Sequence, residues 1–316
     1  MAMATPTGAY AAKQGFQLRD TPGSHLDVIL DGQPVARYMY AYDPSTEETR
    51  VVTYKPYLHV FASDGKTLIT KGPGGLYTHH RGIFIGWNEI KFNGKTYDRW
   101  HMKGGEIVHQ RCLDKKAGPD SATISALIYW NDENHKPLLR EERTLTFRRA
   151  PAPARLIIGF TTKLDAAYGD IFLGGTIEHA GVHYRPADEV DRSKTLYFFP
   201  KENPDPKTDL DYPWVGETYT LFGKQYSVVE MNHPDNPKGT KYSAYRDYGR
   251  FGAFFEKEIK SGQSLNLKYE FLISDSEMMP AAYIQKQWDK FAGLKKASPV
   301  PPMTKVAAVS KKKKKK

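Results

Sequence analysis

One cysteine, Cys112, is all that 316 residues contain, so no disulfide can close within the chain. That suits a reducing compartment, although a chain this long buries a core that needs no covalent staple anywhere. A lone cysteine reads first as a small buried hydrophobe and only second as a nucleophile. No apolar run of about 18 residues exists, so no membrane span is expected. The first residues lack the apolar stretch of an intact signal peptide. A soluble protein is expected, cytoplasmic or, if a leader precedes this sequence, exported. Acidic residues are missing from residues 295–316, which hold nine lysines. Without those nine the net charge of +10 falls to +1 over residues 1–294. Basicity is then a property of the tail, and no specific nucleic-acid partner is implied.

Several motifs are missing as well. No G-x-S-x-G, P-loop or Rossmann glycine pattern stands in a supporting context, and neither H-E-x-x-H nor a Cys/His zinc spacing occurs. Serine hydrolysis by a nucleophile elbow, nucleotide-driven chemistry and structural zinc are thereby excluded.

What is present is a long series of β signals. Residues 25–30 and 34–42 flank Asp31-Gly32, residues 56–62 and 66–70 flank Asp64-Gly65, and residues 82–92 and 95–100 flank Asn93-Gly94. Such dipeptides supply the positive φ of a tight hairpin turn. Residues 122–130, 139–147, 155–164 and 170–184 continue the series, and residues 249–259 and 264–273 around Ser261-Gly262 read as a last hairpin. Along 139–147, Leu139, Glu141, Arg143, Leu145 and Phe147 share one mixed face. Only residues 276–294 read as a helix, with Ile284, Trp288 and Phe291 forming one stripe and Ser276 as a cap. The pattern predicts an all-β fold: a large antiparallel two-sheet sandwich with a C-terminal helix. Residues 1–15 are expected to be a flexible arm, 16–294 a single domain, and 295–316 a disordered lysine-rich tail.

Seven of the ten histidines fall into four groups: His79-His80, His101 with His109, His179 with His183, and His233. Histidine changes charge near neutrality and is the commonest metal ligand. Adjacent His79 and His80 point to opposite faces if their segment is a strand. Arg81 keeps its proton and suits a carboxylate, a phosphate or hydroxyls. His179 and His183 are four apart, which on a strand places them about 13 Å from one another, too far for one metal ion without a bulge. Trp87, Trp100, Trp130 and Trp214 offer flat surfaces of the kind on which sugars stack.

Further segments carry a family resemblance. Tyr54-Lys55-Pro56-Tyr57, His79-His80-Arg81-Gly82-Ile83 with Gly86-Trp87, and Glu106-Ile107-Val108-His109-Gln110 resemble the PmoA-like family of uncharacterised bacterial proteins. The likeness continues through Glu141-x-Arg143, Gly174-Gly175-Thr176, His233-Pro234-Asp235-Asn236-Pro237 and Arg246-Asp247-Tyr248-Gly249. Where that family has D-H-P before its H-H-R-G, this chain has Leu76-Tyr77-Thr78. The resemblance implies a galactose-mutarotase-like supersandwich and a link to carbohydrate metabolism. The family's label refers to a membrane-embedded methane monooxygenase subunit, an activity that a chain without a span does not share.

The leading expectation is a carbohydrate-active protein acting on a small-molecule sugar or modified glycoside, as an epimerase, lyase or hydrolase. His80, Arg81, His109 and His179 are expected to converge on one concave surface. His80, His109 or His179 would be the acid and Glu178 or Glu141 the base. Arg81 would hold a hydroxyl or carboxylate, with His79, Trp87, Arg143, His183 and Arg246 lining the substrate. One alternative is a non-catalytic carbohydrate-binding module. The other is a metal-dependent enzyme, with His79 or His80 joined by His109 and His179 or His183 around one ion; otherwise no cofactor is expected.

Overall fold

Apolar and polar side chains alternate along residues 264–271, where a period of two buries one face of the strand and leaves the other more open. The computed structural model describes residues 15–310. Residues 1–14 of the arm expected over residues 1–15, and the lysines from 311 on, lie outside the described residues. The first strands are β1 (Phe16–Thr21), β2 (His25–Leu30), β3 (Gln33–Met39), β4 (Tyr57–Val60), β5 (Ile83–Trp87), β6 (Glu89–Phe92) and β7 (Lys95–Tyr97). Next come β8 (Ile107–Ala117), β9 (Ser121–Asn131), β10 (Pro137–Arg149), β11 (Leu156–Asp165), β12 (Ile171–Gly174), β13 (Ala180–Tyr184) and β14 (Leu196–Phe199). The last are β15 (Trp214–Leu221), β16 (Lys224–Asn232), β17 (Lys241–Tyr242), β18 (Phe251–Phe254), β19 (Lys257–Ile259), β20 (Ser264–Ser274) and β21 (Thr304–Ala307).

An eight-stranded sheet runs β1-β2-β3-β4-β5-β13-β18-β17, and a nine-stranded sheet runs β21-β14-β15-β16-β20-β11-β10-β9-β8. A third, four-stranded sheet, β19-β12-β6-β7, adds to the two expected. Every strand pairing among the described residues is antiparallel, as predicted. The turns at Asp31-Gly32 and Asn93-Gly94 join paired strands. The hairpin expected around Ser261-Gly262 does not form. There β19 pairs with β12 while β20 lies between β11 and β16, because the alternating Leu267, Tyr269 and Phe271 are drawn into the larger core.

That core lies between the two large sheets. Val28, Leu58, Ile83, Ile85, Val182 and Tyr184 meet Ile124, Ile128, Leu145, Phe160 and Phe271. Each such side chain removed from water contributes roughly 1.5–3 kcal/mol. On the outer side of the nine-stranded sheet, the helix packs Ile284 with Trp214, Val229, Met231 and Leu272. It runs over Ala281–Phe291, shorter than the 276–294 expected, because Pro280 sets its first turn and the Ser276 hydroxyl bonds Ser274 instead of capping. A second short helix, Glu47–Thr53, was not foreseen; a reciprocal capping box between Thr46 and Thr49 holds it. Among the described residues no helix is long and apolar enough to cross a membrane.

The expectation of a detached tail fails over its described part. β21 pairs with β14, Val309 bridges Arg246, and the Ser310 hydroxyl donates to Asp247 at 2.8 Å. The physical reason is the open edge of the nine-stranded sheet, whose unpaired backbone groups the segment satisfies. Its Val306 packs on the core.

Candidate functional site

Residues of the eight-stranded sheet that do not enter the core point to its outer face. Met39 of β3, Tyr57 and His59 of β4, Phe84 of β5 and His183 of β13 alternate with core side chains and so share that face. Loops cover it. A Cβ on Gly86 would stand 2.3 Å from the Arg99 carbonyl, so only glycine there lets the loop carrying Asp98, Trp100 and His101 lie on the sheet. A Cβ on Gly252 would stand 2.6 Å from the His183 ring, which makes room for that imidazole. The loops before β5 and before β13 bring His79, His80 and His179 to the same place.

Five imidazoles gather there around one tryptophan. Ring centroids are 4.5 Å apart for His79 and His80, 4.5 Å for His79 and His101, and 4.9 Å for His101 and His179. Trp100 lies 4.7 Å from His183 and 5.9 Å from His80. Tyr77 and Tyr248 close the other side of His80 at 5.1 and 6.0 Å. His101 Nδ1 meets Asp98 Oδ2 at 2.7 Å, and the other Asp98 oxygen accepts the backbone N–H groups of Trp100 and His101. His179 Nδ1 meets the Thr176 hydroxyl at 2.8 Å. His183 donates from Nε2 to the Ala180 carbonyl and accepts at Nδ1 from Arg250. Glu178 is ion-paired with Arg246 and accepts from the Tyr245 hydroxyl at 3.0 Å.

Burial, with neighbouring charges, keeps His79, His80, His179 and His183 neutral. Burial, then the Lys55 charge and the neighbouring imidazoles, pushes His79 down to about 2. Burial, then His101 and Arg250, pushes His179 down to about 4. His80 and His183 are lowered well below the ordinary value, by burial and then by Arg250. Burial opposes ionisation of Asp98 and Glu178, yet both carboxyls are held below their usual values, by His101 and backbone donors in one case and by Arg246, Arg250 and Tyr245 in the other. Several buried donors here have no partner: Trp100 Nε1, His80 Nδ1 if protonated, and Nε of Arg246 and of Arg250. A terminal nitrogen of Arg250 stands 3.9 Å from Glu178, too far to bond it. Unpartnered buried donors are costly, so oxygen atoms of a ligand would find ready partners.

Of the residues singled out in the sequence, His79, His80, Glu178, His179, His183 and Arg246 come together here. Four do not belong to the cluster. His109 bonds the Tyr38 hydroxyl at 3.2 Å. Tyr38 faces the core while its neighbour Met39 faces the cluster, so the strand's alternation puts His109 on the opposite side of the sheet. Glu141 and Arg143 pair at 2.7 Å, fully buried between the sheets. Trp87 is a core residue whose Nε1 donates to the Phe255 carbonyl. Arg81 lies close by but is no ligand clamp: it stacks on Tyr54 and Tyr57 and donates to the Val51, Thr78 and His80 carbonyls. His101 and Trp100 stood out in the sequence but received no place in the site, and Asp98, Tyr248 and Arg250 received none either. The signal for Asp98 with His101 was an aspartate three residues before a histidine in a loop, a spacing that lets a carboxylate reach Nδ1. Among the described residues no three His, Cys, Asp or Glu side chains are placed to hold a metal ion.

Similar solved structures include a mutant of heparan sulfate lyase from Pedobacter heparinus, at 10% identity and a TM-score of 0.44 over 82% of this chain and 36% of that one. A β-arabinopyranosidase is 10% identical, with a TM-score of 0.37 over 71% of this chain and 37% of that one. The chain thus spans little more than a third of the length of these two. A galactose mutarotase-like protein from Lactobacillus casei ATCC 334 is 10% identical, with a TM-score of 0.33 over 82% of this chain and 100% of that one. No curated protein matches the chain. The resemblance to the PmoA-like family finds no support among these matches. Residues 25–289 match the model of the Family of unknown function (DUF6807), which is most of the chain's length, and the chain belongs to that family.

Proposed function

We propose that the chain binds a sugar or modified glycoside on the outer face of the eight-stranded sheet and moves a proton on it by histidine-centred acid–base chemistry. The observation that carries this reading is the contiguous run of His79, His101 and His179, all partly exposed, with Asp98 behind the middle ring. Asp98 holds a proton on Nδ1 of His101, which leaves Nε2 of that ring free to accept one from the substrate. The carboxylate then stabilises the imidazolium that forms. Neutral His79 and His179 flank it without repelling that charge. Glu178 is tied to Arg246 and held ionised, so it anchors arginines rather than serving as the base. Arg250, with unpartnered nitrogens, supports negative charge developing on a sugar oxygen.

A passive binding module would stack sugar on an exposed ring. Trp87, Trp100, Trp130 and Trp214 are all fully buried, which favours chemistry over stacking at this face.

The test is turnover of free aldoses and aryl glycosides followed by proton NMR, comparing the natural chain with Asp98→Asn. The substitution should lower kcat by about 10²–10⁴-fold and leave KM nearly unchanged. If the natural chain turns over none of these compounds, or Asp98→Asn turns them over equally well, the reading fails.

A further inference from the structure

A cavity of 590 Å³ opens beside His59 of β4, and none of the five clustered imidazoles lines it. Its size falls within the about 300–1,000 Å³ typical of ligand sites. Its wall is polar and built: His59, Thr70 and Lys71 are each at least nine-tenths buried. Lys71 Nζ bonds Asp188 and the Gly74 carbonyl, and His59 is fixed between the Tyr57 and Thr70 hydroxyls at 3.2 and 3.1 Å. Glu189 stands exposed beside them.

The rim carries Phe222, the most exposed large apolar side chain among the described residues, at 73%. Phe222 and Gly223 form the two-residue turn between β15 and β16, and Phe222 has φ of 50°. That conformation suits Asn or Gly and is a genuine outlier for a bulky side chain. Two unfavourable choices coincide at one position, a strained backbone and an aromatic ring in water. Strain of this kind concentrates where a ligand is held.

We propose that this cavity is a second carbohydrate-binding site, in which a neutral pyranose ring lays its C–H face on Phe222 and directs hydroxyls to Lys71, Asp188 and Glu189. A sugar ring is apolar on one face and ringed by hydroxyls, which matches a flat hydrophobic rim over a polar wall. Both cations beside it, Lys71 and Arg185, are already paired with Asp188, so neither is left over for the carboxylate of an acidic sugar. The site is independent of the chemistry proposed at the imidazoles.

The experiment is saturation-transfer NMR and calorimetric titration of the full chain with methyl glucopyranoside, methyl galactopyranoside and methyl mannopyranoside. Phe222→Asn relieves the backbone and removes the ring, so Tm should stay level or rise while binding of at least one glycoside weakens about ten-fold. Glu189→Ala, at an exposed position, should weaken the same glycoside. Asp98→Asn, which addresses the imidazole site, should leave that binding intact, so loss of turnover and loss of this site are read separately. Binding of none of the three glycosides by the natural chain, or equal binding by Phe222→Asn, overturns the proposal.

Discussion

Two clusters of buried polar side chains differ in how completely they are satisfied. Between the sheets, Glu141 accepts from Trp130 Nε1, from Arg143 Nε and a terminal nitrogen, and from the Thr162 hydroxyl. The other terminal nitrogen of Arg143 donates to the Pro56 carbonyl. On the outer face of the eight-stranded sheet, His101 and His183 are fixed at Nδ1, but Trp100, His80, Arg246 and Arg250 keep buried atoms without partners. The first cluster closes upon itself, which is how buried charge is tolerated in a core. The second is open on the ligand side. Residue type alone does not separate them, since each holds a glutamate, an arginine, a tryptophan and a histidine nearby.

The sharpest way to break this contrast is to open the closed cluster. Arg143→Met leaves Glu141 buried without its partner and should destabilise the chain by about 3–5 kcal/mol in urea denaturation. A loss under about 1 kcal/mol, as at an exposed bridge, would mean that the closed cluster is dispensable.

The C-terminal segment reaches the second cluster, pairing with β14 of the nine-stranded sheet and bridging Arg246 through Val309. Ending the chain at Pro302 removes β21 with its ladder bonds, each contributing roughly 0.5–1.5 kcal/mol. Calorimetry should then show Tm lowered by several degrees, at about 2–4 °C for each kcal/mol. An unchanged Tm would show that the strand only rests on the edge.

One imidazole beside each cluster is held neutral by burial. Burial, then the Arg143 charge, holds His109 down to about 4, as burial holds His179 to about 4. Proton NMR should therefore show neither ring titrating between pH 8 and 6. The unfolded chain binds these protons near the ordinary value of about 6.5, so stability is full above that pH and falls as pH drops toward 4. Replacing His109 with Phe should remove its share, and the Tm difference, variant minus natural chain, should rise as pH falls through that window. A difference flat with pH would show that His109 is not held neutral.

The smallest effect is expected on turnover in the same variant. His109 lies on the core side of the sheet, so His109→Phe should turn over sugar as the natural chain does near neutral pH. A hundred-fold loss, of the order expected for an acid–base group, would put it back in the site.

The fold was legible because hairpin dipeptides and period-two burial are local signals. Asp31-Gly32 and Asn93-Gly94 turn where their φ preferences require, and Leu139, Glu141, Arg143, Leu145 and Phe147 do share one buried face. Helix Glu47–Thr53 escaped notice because its capping box uses Thr49 where glutamate or glutamine is the usual signature. The docked tail escaped because its composition is that of a free segment; only the unpaired edge of β14 gives it a place.

The site was half legible. His79, His80, His179 and His183 stood out as costly residues in loops and strand ends, and they do meet. His109 and Glu141 had the same chemistry and the same proximity to family motifs, yet face the other way. The sequence by itself determined which residues alternate, where hairpins turn and where histidines cluster, since those depend on neighbours a few positions away. Only the tertiary structure decided which face of the eight-stranded sheet each polar side chain took, and that Asp98 and Trp100 would lie over it. A one-residue step along a strand reverses the face, and the close approach at Gly86 is made by a loop from elsewhere in the chain.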